Sequence, residues 1–199
     1  MLIVLTSDQA VEQEIALIHQ LFKEGLEILH IRKPDYSKTE VRQFVQKIDP
    51  EYHSKLVVHN YHELCFEFQL RGIHLKEQHR LDLGEGMVEY LNTFSSKGYT
   101  SSTSFHDLET VNTYASSFDY CFLSPVFSSI SKQGYKGKQF DVTHISKKII
   151  ALGGIQMQTI KTAIDLGYRG IGVLGAIWQS KTPIQRFKEI QKAFNTIEN

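Results

Sequence analysis

The segment DYCFLSPVFSSISK, residues 119–132, joins an apolar run to a polar loop. Its run Tyr120-Cys121-Phe122-Leu123 has the composition of a buried strand and stops at Ser124-Pro125. Residues 128–138 are then rich in hydroxyls, glycines and lysines. The segment therefore predicts a strand over residues 120–124 whose carboxyl end leads into a loop able to approach a ligand.

The same alternation of a short apolar run and a helical segment recurs along the chain. The other predicted strands cover residues 2–6, 27–32, 55–59, 72–75, 99–103, 149–154 and 170–175. The predicted helices cover residues 11–23, 39–48, 62–69, 87–94, 108–115, 141–147, 157–166 and 183–196. Eight such units predict parallel strands in a single α/β domain, a (β/α)₈ TIM barrel over residues 1–199. A doubly wound open sheet competes, but it normally has a glycine-rich first turn, and residues 6–9 contain no glycine.

The composition of the chain limits the kinds of molecule that it is expected to bind. The chain has 199 residues, with 22 basic and 22 acidic side chains that cancel. A neutral chain gives no electrostatic reason to bind nucleic acid or an anionic membrane. No apolar run approaches the ~20 residues that span a bilayer, so we expect a cytoplasmic protein. The sequence leaves open whether the protein forms a homodimer.

The cysteines and histidines show no metal-binding spacing. Cys65 and Cys121 both have apolar neighbours in sequence and are expected to be buried free thiols. There is no CxxC pair and no His/Cys cluster with zinc spacing. The sequence therefore predicts no metal site.

Barrel enzymes carry their active sites at the carboxyl ends of the strands, which selects positions before any chemistry is considered. Histidines 30, 59, 74 and 106 all fall at such ends. One histidine there is often a core residue, but imidazoles titrate near neutral pH and are poor core side chains. The four together indicate a functional site.

An anion site is predicted at the ends of the sixth, seventh and eighth strands. Ser129, Ser131 and Lys132 could supply hydroxyl donors and a positive charge. Backbone amides at the ends of the last two strands could complete it, as in many phosphate-binding barrels. Those amides belong to Gly153, Gly154, Leu174 and Gly175. The alternative is an ordinary solvated loop, for which serine, glycine and lysine are also typical.

The order of these segments resembles the thiamine phosphate synthase/TenI superfamily. The resemblance is collinear and covers nearly the whole chain. Its most specific part is DYCFLSPVFSSISK, followed by GGI at residues 153–155. The other matching segments are HIRKP (30–34), HN (59–60), GIHLKEQH (72–79), SFH (104–106) and LGYRGIGVLGAI (166–177). The resemblance implies the barrel fold and a small phosphorylated substrate.

Departures from the synthase pattern bear on the reaction. The synthase couples a pyrimidine diphosphate to a thiazole phosphate and needs Mg²⁺ held by two aspartates. Those aspartate positions hold Asn60 and His79 here, and the lysine of the family's R-E-K is Pro34. TenI-type proteins resemble the same barrel used as a thiazole tautomerase, which moves one proton and needs no metal. The resemblance therefore favours a tautomerase without a cofactor.

That resemblance also implies roles for individual residues. His106, in the S-x-H segment, would carry the proton, with His30 as a second candidate, and Arg32 would face the substrate carboxylate. The substrate would further contact His59, Asn60 and Ser104, and the anion site would hold its phosphate. Two alternatives stay open: a divergent synthase, which would use Mg²⁺, and a non-catalytic barrel that binds a phosphate ligand.

Overall fold

Eight parallel strands close into a barrel in the computed structural model, which describes residues 1–128 and 136–198. Each strand pairs with the next along the chain, and the eighth pairs with the first. The strands are β1 Leu2–Leu5, β2 Ile28–Ile31, β3 Leu56–Val58, β4 Gly72–Leu75, β5 Thr100–Phe105, β6 Tyr120–Leu123, β7 Ile149–Ala151 and β8 Ile171–Val173. The predicted (β/α)₈ barrel is confirmed.

Helices follow the strands and form the outer layer. Within the described residues they are α1 Glu14–Lys23, α2 Lys38–Gln46, α3 Leu64–Phe68, α4 Glu77–Leu83, α5 Met87–Ser95, α6 Leu108–Tyr114, α7 Met157–Asp165, α8 Gly175–Trp178 and α9 Pro183–Glu198. Short 3₁₀ helices cover Pro50–Lys55, Gly84–Gly86 and Ala115–Ser117. In the part of the chain that is described, no helix has both the length and the apolar character that crossing a membrane requires.

The strand residues divide between two cores because successive side chains point to opposite faces. The larger core lies between the strands and the helices and includes Val4, Leu29 and Val58. A smaller one fills the barrel and consists of Ile3, Leu5, Ile28, Val57, Tyr120, Phe122 and Ile150. The barrel interior also contains buried histidines. The carboxyl-terminal end of the barrel therefore differs chemically from an ordinary aliphatic core.

Several predictions differ from the structure, most of them only in their bounds; the seventh strand, for example, ends at Ala151 rather than at residue 154. The helix predicted at 141–147 is absent, since Oδ1 of Asp141 accepts hydrogen bonds from the amide and hydroxyl of Thr143 and favours a turn. Helix α4 was missed because its stretch is polar and its buried side chain is an arginine, Arg80. The last strand ends at Val173 rather than residue 175, because Gly175 already starts α8.

Candidate active site

A cavity of about 530 Å³ opens at the carboxyl ends of the strands. Its walls come from β1, β2, β4, β5 and the turns after β3, β6, β7 and β8. The lining includes Asp8, Arg32, His59, His74, Lys76, Glu77, Ser104, His106, Gly153, Gly154, Leu174, Gly175 and Trp178. Most of the residues selected from the sequence are therefore brought together in one place.

Two further predicted site residues, His30 and Asn60, lie outside the cavity lining. His30 is fully buried and sits behind His59, to which it is hydrogen-bonded. The side-chain amide of Asn60 donates to the carbonyl of Lys33, and neither His30 nor Asn60 lines the cavity. The predictions for Ser129, Ser131 and Lys132 concern residues outside the described ranges.

Two glycine turns form one corner of the cavity. Gly153 and Gly154 have φ angles of +94° and +66°, in the left-handed region that glycine tolerates best. A Cβ on Gly154 would lie 2.5 Å from the carbonyl oxygen of Ser128, so only glycine lets the two backbones approach this closely. Within the described residues, the amides of Gly154 and Gly175 are hydrogen-bonded to no other group. No acceptor among the described residues therefore competes with an anion for these two amides.

Arg32 directly follows β2 and is held in place by β1. Its backbone amide donates to the hydroxyl of Thr6 at 2.8 Å, and that hydroxyl donates to the Arg32 carbonyl at 3.1 Å. Its guanidinium lies 3.3 Å from the carboxylate of Asp8. Lys76 also lines the cavity, and burial together with the charge of Arg32 lowers its pKa. The cavity lining thus combines the amides of the glycine turns with two basic side chains, Arg32 and Lys76.

His106 is fixed by the turn after β6. Its Nδ1 lies 2.9 Å from the carbonyl oxygen of Ser124. Because a carbonyl can only accept, Nδ1 carries the hydrogen of the neutral ring, and Nε2 keeps its lone pair. Nε2 lies 3.9 Å from a carboxylate oxygen of Glu77, and the side chain is 47% exposed. A basic nitrogen is thus presented to the cavity from a fixed ring.

Three more histidines form a buried cluster on the adjoining wall. The rings of His30, His59 and His74 are neighbours, with centroid separations of 5.1, 5.5 and 4.1 Å. Burial lowers the pKa of His30 to about 3 and holds those of His59 and His74 well below the usual range. Behind β4, burial also lowers the pKa of His62 to about 4. These imidazoles are neutral at pH 7.

The buried histidines predict a loss of stability in mild acid. A histidine in the unfolded chain has a pKa of about 6.5, so below that pH the unfolded state binds protons that the folded state does not. Between pH 7 and pH 5, each such histidine should cost about 2 kcal/mol of unfolding free energy. Urea unfolding at the two pH values measures the loss. His62→Gln should reduce it by about one histidine's share and His144→Gln, at an exposed position, should not. Equal stability at both pH values would contradict the assignment.

Sequence reasoning gave no role to Asp8, Lys76 and Glu77, and it selected His74 only as one of four strand-end histidines. Asp8, His74, Lys76 and Glu77 line the cavity, and all four follow or end a strand. The strand-end rule selects these positions, but the family pattern implies no role for them. The charges of Asp8, Lys76 and Glu77 become relevant only because the closed barrel brings the ends of β1 and β4 to one cavity.

Comparisons with known proteins agree with the fold and point to one family. The family model described as "Thiamine monophosphate synthase" matches residues 1–177. A protein named thiamine-phosphate synthase from Dictyoglomus thermophilum is 22% identical over 197 residues, which cover 94% of this chain and 86% of that protein. Another of that name from Klebsiella pneumoniae is 26% identical over 181 residues, with coverages of 85% and 83%.

Solved structures give the same result. A thiamine phosphate pyrophosphorylase from Bacteroides thetaiotaomicron superposes with a TM-score of 0.75 at 28% identity, covering 98% of this chain and 97% of that one. A thiamine phosphate pyrophosphorylase from Pyrococcus furiosus superposes with a TM-score of 0.80 at 15% identity, covering 100% of this chain and 96% of that one. At that identity the second likeness supports the fold alone.

Proposed function

Because this chain belongs to the thiamine phosphate synthase/TenI superfamily, we propose that it is an enzyme of thiamine biosynthesis that binds a thiazole phosphate at the strand ends. Members of this family are enzymes of that pathway, and a small phosphorylated substrate fits a cavity of about 530 Å³. Two reactions are candidates, proton transfer within the thiazole phosphate and coupling to a pyrimidine diphosphate. The residues of the site favour the first, and the names of the relatives favour the second.

The phosphate is assigned to the glycine corner. The amides of Gly154 and Gly175, which have no acceptor among the described residues, can donate to phosphate oxygens, as backbone amides at the last two strand ends do in many barrels. Arg32, which also lines the cavity, can take a carboxylate, since a guanidinium binds that group through two parallel hydrogen bonds. A substrate with a phosphate at one end and a carboxylate at the other would then cross the cavity mouth.

The observation that supports proton transfer is the orientation of the His106 ring. Its Nε2 lone pair can accept a proton from one atom of the thiazole, and the resulting imidazolium can return a proton to another. The substrate gains and loses one proton in the cycle, so the product is an isomer and no further reactant is consumed. The turn after β6 keeps the ring in place throughout.

The residues do not fit the magnesium site that coupling requires in the synthase. The amide of Asn60 is turned to the carbonyl of Lys33, at 3.4 Å. The ring of His79 stacks on His62 with centroids 5.2 Å apart. Mg²⁺ prefers charged oxygen ligands, and neither position offers a carboxylate. We therefore place proton transfer first among the two reactions.

Coupling is the second candidate because the relatives compared above are named for that reaction. It would need carboxylates from other positions, since Asn60 and His79 supply none. The cavity offers Asp8 and Glu77, of which Asp8 is already paired with Arg32. The identities of 22–28% to these relatives leave room for either reaction on the same barrel.

One incubation separates the two reactions. The protein is supplied with the thiazole phosphate carboxylate and the pyrimidine diphosphate, with and without added Mg²⁺, and each product is quantified. We expect the aromatic thiazole isomer in both arms. A coupled product that forms only with Mg²⁺ would overturn the proposal in favour of synthase activity. Ligand-induced thermal stabilisation with neither product would identify a non-catalytic binder.

The glycine corner gives a further prediction. Gly154→Ala adds a methyl group 2.5 Å from the Ser128 carbonyl, in a left-handed conformation, and must shift the turn that presents the amide. Binding of the thiazole phosphate should weaken by roughly tenfold or more, which corresponds to ~1.4 kcal/mol. Gly98→Ala is the matched control, since its φ is +82° but nothing lies within 4 Å of the added methyl. Titration calorimetry compares the two, and equal affinities would contradict the phosphate placement.

A further inference from the structure

Three neighbouring strands bring three imidazoles into the barrel interior. His30 lies on β2, His59 directly follows β3 and His74 lies on β4. They are 0%, 5% and 2% exposed. Branched aliphatic side chains normally fill this layer of a barrel. Three polar rings at its centre therefore indicate a specific role.

The ring nitrogens are arranged in an inner and an outer set. One nitrogen of each ring lies within 4.8 Å of the other two. Outside this group, Nε2 of His30 pairs with the hydroxyl of Tyr120 at 2.7 Å, and Nδ1 of His74 pairs with the hydroxyl of Ser102 at 2.9 Å. Metal-binding histidines are usually oriented in this way, through a hydrogen bond on the nitrogen that does not bind the metal.

We infer that His30, His59 and His74 form a binding site for a divalent transition metal that prefers imidazole ligands, such as Zn²⁺. His59 and His74 line the cavity, so an ion has a route of entry and an open coordination position on the cavity side. Three protein nitrogens and one open position are the ligand set of many catalytic zinc sites. The open position would take water or an anionic oxygen of the bound ligand.

This inference concerns a different chemistry from magnesium binding. Mg²⁺ takes oxygen ligands, whereas a site made only of imidazoles selects zinc, copper or nickel. Since the three rings are neutral at pH 7, their lone pairs are available without loss of a proton. The spacing of 30, 59 and 74 in sequence gives no zinc signature, because each ligand comes from a separate strand.

The competing account is a hydrogen-bonded cluster that never holds an ion. Nδ1 of His30 and Nε2 of His59 are 2.9 Å apart, a good hydrogen bond. Nε2 of His74 is also within 3.1 Å of the hydroxyl of Ser104. Metal binding would replace these two contacts with bonds to the ion, after small rotations of the rings. The two accounts differ in affinity for the metal alone.

The test is a metal titration of the full-length protein after chelator treatment and dialysis. We expect one equivalent of Co²⁺ to bind with visible absorption bands typical of a four-coordinate ion, and Zn²⁺ to displace it. His59→Asn and His74→Asn should weaken binding by roughly a hundredfold. His144→Asn, on the exposed surface, should leave it unchanged. Circular dichroism shows whether the variants fold.

The parent protein decides the question even if the buried variants do not fold. Stoichiometric binding accompanied by a higher Tm supports the site. Failure to bind cobalt or zinc at micromolar concentration would overturn it. Binding with the parent's affinity in folded His59→Asn protein would place the metal on other histidines and would overturn it as well.

Discussion

Replacement of His106 by asparagine is expected to slow isomerisation of the thiazole phosphate by ~10²–10⁴-fold, the usual contribution of a general acid or base. Asparagine can still donate a hydrogen bond to the Ser124 carbonyl, but it has no nitrogen that accepts and returns a proton. Binding should change little, because the phosphate is assigned to Gly154 and Gly175 rather than to His106. The measurement is kcat for the variant and the parent, together with calorimetric affinity.

The control for this substitution is His144→Asn, which removes an exposed histidine outside the cavity lining. It should isomerise at the parent rate. If His106→Asn also does so, His106 is not the proton carrier. His30 would then be a poor replacement, because it is fully buried and hydrogen-bonded at both ring nitrogens.

The second large effect concerns a buried ion pair beneath the site. Lys33 donates to both carboxylate oxygens of Glu14, at 2.8 and 2.6 Å, and to the carbonyl of Ser7 at 2.8 Å. The side chains of the pair are 2% and 8% exposed. Lys33→Met leaves the Glu14 carboxylate buried without its partner. We expect a loss of ~3–5 kcal/mol of unfolding free energy, measured by urea denaturation at pH 7.

The same substitution at an exposed pair is the control. Lys38 lies 2.7 Å from Glu63, and both side chains are more than half exposed. Lys38→Met should cost ~0–1 kcal/mol. Burial already raises the pKa of Glu14, and loss of Lys33 removes the charge that opposes this. A carboxyl group whose pKa is raised in the folded state lowers the free energy of unfolding as the pH rises. The loss of unfolding free energy caused by Lys33→Met should therefore be smaller at pH 5 than at pH 7. Equal losses at the two lysines would contradict the role of burial.

Much of the fold follows from the sequence because the barrel repeats a simple pattern. Even the serine-rich strand near residue 100 was found from its place in the alternation, and it proved longer than predicted, Thr100–Phe105. The wrong secondary-structure predictions have local chemical causes. The side chain of Asp141 favours a turn over the predicted helix, and the polar α4 has no clear apolar stripe.

The candidate site is less visible in sequence than the fold. The strand-end rule and the family resemblance find His106, Arg32 and the glycine turns, because these are tied to local motifs. The tautomer of His106 is not predictable, since it depends on the Ser124 carbonyl, 18 residues away in the chain. The histidine cluster is likewise a product of strand register, which places His30 beside Val57 and His74 beside Ser102.

The most direct test of the proposed function is a time course with the thiazole phosphate carboxylate alone, in magnesium-free buffer, followed by NMR. The account predicts that the protein converts it to the aromatic isomer much faster than buffer does, and that His106→Asn removes most of this acceleration. A rate equal to that in buffer, from protein that binds the ligand, would contradict the account.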